Sequence, residues 1–134
     1  MDFNLSIGMK SEKVEQVTNN NTAIKYGSGT VAVYATPAMV GLVEGACMAI
    51  VDPLLPEAMA TVGIDLSIKH LAATPVGMTV RAVAELTEID GKRLIFTVKV
   101  FDNKEQIGRG THERYIIDIK KFLQKAEAKM NEVM

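Results

Sequence analysis

Hydrophobic positions change their period along this chain, and each change marks a different element. From Thr36 to Val51, TPAMVGLVEGACMAIV, every residue is apolar or glycine except Thr36 and Glu44. Thr36 suits a helix N-cap, and Pro37 suits the first helical position, where its missing N–H costs nothing. Asp52-Pro53 supplies the stop, because proline disfavours helix in the residue before it. A helix that is apolar all round is buried on most sides, and Gly41, Gly45, Ala46 and Ala49 let other backbone come close. The segment predicts a central helix.

Beyond it the pattern falls into period two. Val62, Ile64, Leu66 and Ile68 alternate with Gly63, Asp65, Ser67 and Lys69. From Val80 the set Val80, Ala82, Ala84 and Leu86 alternates with more polar positions, and Asp90-Gly91 signals a hairpin. Leu94, Phe96, Val98 and Val100 make the return strand, and a third strand runs from about Gln106 to Ile117. Gly108 and Gly110 share one face of it, leaving a flat patch where other backbone can lie. Ser11 to Thr18 carries a weaker strand signal around Val14 and Val17. Asn19 to Asn21 reads as a turn and Gly27-Ser28-Gly29 as a flexible break, with no GxGxxG or Gly-Lys-Ser spacing to make it a phosphate loop. From Asp118 onward Ile119, Phe122, Leu123 and Ala126 return to helical spacing. One buried helix with a long antiparallel meander predicts an α+β fold in which the sheet curls around the helix.

Length and charge narrow the classes. With 134 residues, 1–134 reads as one domain. Apolar residues at 48% and charged residues at 23% are the mix of an ordinary globular protein. A net charge of −1 excludes the basic excess of a nucleic-acid or anionic-membrane binder. The N-terminus lacks a signal pattern, and no apolar run reaches the ~20 residues of a membrane span. The expectation is a cytoplasmic protein with no membrane or nucleic-acid partner. One cysteine, Cys47, and two histidines, widely spaced, give neither a disulfide framework nor a metal signature.

Three polar side chains stand out. Glu44 lies between Val40 and Met48 on an apolar stripe, where burying a carboxylate unpaired is expensive. It is either functional or the partner of Arg114 or a sheet lysine. Thr36 is explained by capping alone, yet a capping hydroxyl still has its proton to donate, beside free N–H groups at the helix start. His70 ends an alternating run and is either structural or an acid–base group. His112 reads as structural, and Arg114, on the same strand face, as the partner of an acid or a substrate clamp. Thr36 and Glu44 are eight helical residues apart, a rise of about 12 Å, so they do not meet as neighbours on one helix.

The order of elements, with the strings TPAMVGLVEGACMAIV, GIDLSIKHLAATPVGMTV and IGRGTHERYII, resembles the hotdog-fold acyl-CoA thioesterases, and within them the fluoroacetyl-CoA thioesterase type. The resemblance implies an antiparallel sheet wrapped around a central helix, a homodimer or dimer of dimers, and acyl-CoA sites at the interface. It implies catalytic roles for Thr36, Glu44 and His70 and substrate contacts from Gly63 and Arg114. Gly27 to Val33 departs from the family, being small residues where bulky phenylalanines would lie over the acyl group. The function expected is hydrolysis of a small acyl-CoA thioester, with no metal or redox cofactor and with CoA as the substrate's handle. A non-catalytic acyl-CoA or small-ligand binding module on the same fold is the alternative, and a hotdog hydratase ranks last.

Overall fold

The computed structural model describes residues 3–134. Its elements run β1 (Lys10–Gln16), α1 (Ala23–Tyr26), α2 (Thr36–Val51), a 3-10 turn (Asp52–Leu54), β2 (Met59–His70), β3 (Thr79–Asp90), β4 (Arg93–Phe101), β5 (Gln106–Asp118) and α3 (Ile119–Val133). The five strands form one antiparallel sheet in the order β1-β3-β4-β5-β2. Period-two alternation makes that sheet two-faced. Val80, Ala82, Ala84 and Leu86 of β3 and Leu94, Phe96, Val98 and Val100 of β4 all point to one buried side. Against that side lies α2, through Met39, Leu42, Val43, Ala46, Cys47 and Ile50.

Glycines set how closely the helix and strands approach. A Cβ on Gly108 would lie 2.6 Å from the Met39 sulfur, so Gly108 makes room for α2. A Cβ on Gly110 would run into the Ser67 carbonyl oxygen of β2. The flat patch is therefore used twice, once by a side chain and once by backbone.

Two expectations need correction. Thr36 does not cap α2: the N-cap is Ala35, no side chain caps the first turn, and Thr36 is itself helical. Nor is α2 buried on most sides. Gly41, Met48 and Ala49 are exposed and Val40, Glu44 and Gly45 are half-buried, forming an uncovered stripe along the helix. One five-stranded sheet can cover only one side of a helix. The stretch Thr36–Leu54 has the length and composition of a membrane span, and here it is the helix against which the sheet packs.

The break at Gly27 is more ordered than its composition suggests. Thr22 caps α1 by accepting from the Lys25 N–H at 3.3 Å, and Gly27, left-handed at φ 68°, closes it. At the far end α3 lies next to β5 with no buried residue of its own.

Candidate active site

The last residue of β2 meets the first residue of α2. Thr36 Oγ1 and His70 Nδ1 are 2.8 Å apart. His70 Nε2 is buried with no hydrogen-bond partner among the described residues. Burial holds the imidazole below the ordinary histidine range, partly offset by the Ala72 backbone. With its ring proton on Nδ1, a neutral imidazole donates to Thr36 Oγ1 and the threonine proton stays free for a ligand. The pair borders a cavity of about 420 Å³ whose walls include Ala23, Ser28, Val33 and Tyr34. Tyr34 is held in place by donating to Glu15 Oε2 at 2.6 Å. No side chain caps α2, Pro37 has no N–H and the Met39 N–H donates to the Ala35 carbonyl, so the first-turn N–H groups left for a ligand are those of Thr36 and Ala38.

A second cluster forms two turns along the helix. Glu44 Oε2 would lie 2.9 Å from a Cβ on Gly63, and His112 Cε1 would lie 3.0 Å from it, so glycine alone leaves room there. A register shift between Gly63 and Asp65 bulges β2 at the same place. Arg114, only 6% exposed, donates from Nε to Thr61 Oγ1 at 2.8 Å and from Nη2 to the Thr61 carbonyl at 2.9 Å. Its Nη1 lies 3.1 Å from His112 Nε2. Arginine can only donate, so Nε2 is the unprotonated nitrogen and Nδ1–H donates to the Asp65 carbonyl at 2.8 Å. Burial, aided by the Arg114 charge, holds His112 below the ordinary range against the pull of the Asp65 carbonyl. Thr61 in turn donates to Asp52 Oδ1 at 2.6 Å. Glu44 stands beside this chain of bonds without joining it: among the described residues it makes no ion pair or hydrogen bond.

A model of the fluoroacetyl-CoA-specific thioesterase family matches residues 17–120. This chain belongs to that family. A fluoroacetyl-CoA thioesterase of Streptantibioticus cattleyicolor is 42% identical over 97 residues, which cover 72% of this chain and 70% of that protein. A mutant of a fluoroacetyl-CoA thioesterase, solved in complex with acetyl-CoA, is 33% identical with a TM-score of 0.88, covering 93% of this chain and 98% of that one. A hypothetical protein of Thermus thermophilus, described as a thioesterase superfamily member, is 28% identical with a TM-score of 0.86, covering 96% and 97%. The architecture is the hotdog fold.

Within this thioesterase family member, the five residues singled out in the sequence fall into two groups. Thr36 and His70 share one hydrogen bond, and Glu44, Gly63 and Arg114 share the other cluster. The expected alternative for Glu44, an ion pair with Arg114 or a sheet lysine, is not formed among the described residues, and Arg114 turns three of its donors to Thr61 and His112. Sequence reasoning missed Thr61 and Asp52. Asp52 was legible only as a helix stop, and nothing in the spacing links it to a buried arginine.

Proposed function

We propose that this protein hydrolyses the thioester of a short-chain acyl-CoA, releasing CoA and a carboxylic acid. The observation that carries the reading is the Thr36–His70 hydrogen bond at the border of a cavity beside an uncapped helix start. The thioester carbonyl oxygen lies against the first-turn N–H groups and the Thr36 hydroxyl, which stabilise the oxyanion as it forms. A carboxylate removes a proton from water, the water oxygen adds to the carbonyl carbon, and the C–S bond breaks. The departing thiolate takes up the proton that the carboxylate removed from water, handed on through His70, which returns the carboxylate to its starting form. The scheme calls on side chains and water alone.

The carboxylate in this scheme is Glu44 of the partner subunit in a homodimer. On one chain it stands eight helical residues, about 12 Å, along from Thr36. It also sits in the uncovered stripe of α2, alongside exposed Met48 and Ala49. That stripe, together with the unpaired edge of β2, supports pairing two copies so that both are covered. Gly63 and Arg114 hold the floor beside Glu44, with the arginine keeping that floor rigid.

Free-thiol release from a panel of acetyl-, fluoroacetyl-, propionyl- and longer acyl-CoAs tests the reading. Steady turnover on a short acyl-CoA is the expected result, and the panel reports halogen preference at the same time. Stoichiometric binding without release of CoA would make the protein a binding module and end the hydrolase proposal.

A further inference from the structure

The face of the sheet opposite α2 carries a charge arrangement that hydrolysis does not use. Lys69 of β2 pairs with Arg109 of β5, and Arg109 with Lys99 of β4, so three cations stand in one row across three strands. All three are exposed. Among the described residues no carboxylate lies within ion-pair distance of this row, and Glu85, which lines a hollow beside Lys99, is paired with Lys10. In the next row the hydroxyls of Ser67, Thr111 and Thr97 align in the same way. These six residues border one concavity of about 390 Å³.

Like charges placed directly opposite each other across strands destabilise a sheet. The protein as a whole is slightly acidic, at −1, so the row is a local concentration rather than general basicity. We propose that Lys69, Arg109 and Lys99, with the three hydroxyls, form a binding site for the phosphate groups of a nucleotide. Cations supply the charge, arginine adds a two-pronged donor that matches phosphate oxygens, and the hydroxyls complete the hydrogen bonding. Neighbouring strands lie about 4.8 Å apart, so the outer cations are about 10 Å from each other. A row of that length has room for two phosphate groups side by side, as on a nucleotide phosphorylated at two positions. Lys69 directly precedes His70, so the row begins one residue from the Thr36–His70 pair. The nucleotide is either the end of the acyl-CoA substrate, in which case the proposal rests on the thioesterase reading, or a separate molecule.

The test compares the parent with a Lys99→Gln/Arg109→Gln double variant, two exposed changes outside the catalytic clusters. Calorimetry with adenosine 3′,5′-bisphosphate should show binding to the parent and at least about tenfold weaker binding to the variant. The single Lys99→Gln change should give a loss in the same direction if the double variant does not fold. Kinetics then identify the source. A KM for acetyl-CoA that rises by a similar factor, with kcat and acetyl-pantetheine hydrolysis unchanged, assigns the site to the substrate's nucleotide. Unchanged acetyl-CoA kinetics alongside weakened bisphosphate binding assign it to a separate nucleotide. Equal bisphosphate binding by parent and variant, or none by the parent, overturns the site. A parent that hydrolyses neither thioester removes the thioesterase reading, while the calorimetry still decides the row.

Discussion

Thr36 and His70 serve each other, and a substitution that keeps shape while removing chemistry separates their contributions. Thr36→Val preserves the branched side chain and deletes the hydroxyl. The position is exposed, so stability should stay within about 0.5 kcal/mol. Turnover should fall about 100-fold, the scale of losing a positioned proton donor or acceptor. Thermal melts and thiol release on the same preparation check both halves. The histidines make a second residue-level prediction. Burial is the main cause that lowers both His70 and His112 from the reference value of 6.5. Below about pH 6.5 the unfolded chain therefore binds protons that the folded chain refuses, and stability rises with pH in that window. Melting temperature should drop as pH is lowered from 7.5 towards 5.5, and a His70→Asn variant should show a shallower drop. A variant slope as steep as the parent's would remove His70 from the account. This scale was the least legible in the sequence. Glu44 and Thr36 attracted notice as polar residues in an apolar helix, but the bond joining Thr36 to His70 spans 34 positions. No local period encodes a contact at that separation. The resemblance, rather than the pattern, grouped those two residues in one site.

At the scale of elements the pattern was far more informative. The extent of α2 was readable end to end, because proline punctuates both sides of an uninterrupted apolar run. The four long strands followed from alternation, and β1 was visible only faintly because as an edge strand it exposes Val14. The helix α1 was missed although Thr22 and Gly27 are a fitting cap pair, since four residues are too few for a period to show. Glycine spacing on β5 predicted a close approach, and the two glycines are not equivalent. A Cβ at Gly110 meets fixed backbone, the Ser67 carbonyl oxygen, whereas one at Gly108 meets the end of a flexible methionine. Gly110→Ala should therefore cost about 3 kcal/mol, and Gly108→Ala about 1 kcal/mol as Met39 shifts rotamer. Denaturant melts of the two variants check the order. Equal losses would mean that β2 and β5 yield as readily as a side chain does.

For the whole molecule, the decisive matter is whether one chain holds a complete site. The uncovered stripe of α2 and the open edge of β2 are the surfaces that the proposed dimer would cover, and the roughly 12 Å between Thr36 and Glu44 along one helix is too far for a shared water. Complementation between two inactive variants distinguishes the arrangements. Thr36→Val and Glu44→Gln, each prepared alone, should both be nearly inactive. Co-expressed in equal amounts and allowed to assemble at random, about half the dimers carry one copy of each. If Thr36 of one chain works with Glu44 of the other, each mixed dimer has one site with both changes and one with neither. Activity should then return to about a quarter of the parent's, half the dimers each with one of two sites intact. If each chain instead supplies its own Thr36 and Glu44, every site in every dimer carries one change, and mixing restores nothing. Light scattering on the mixture confirms that dimers were present. Recovery therefore reports a shared site, and its absence in a dimeric sample would return Glu44 to its own chain.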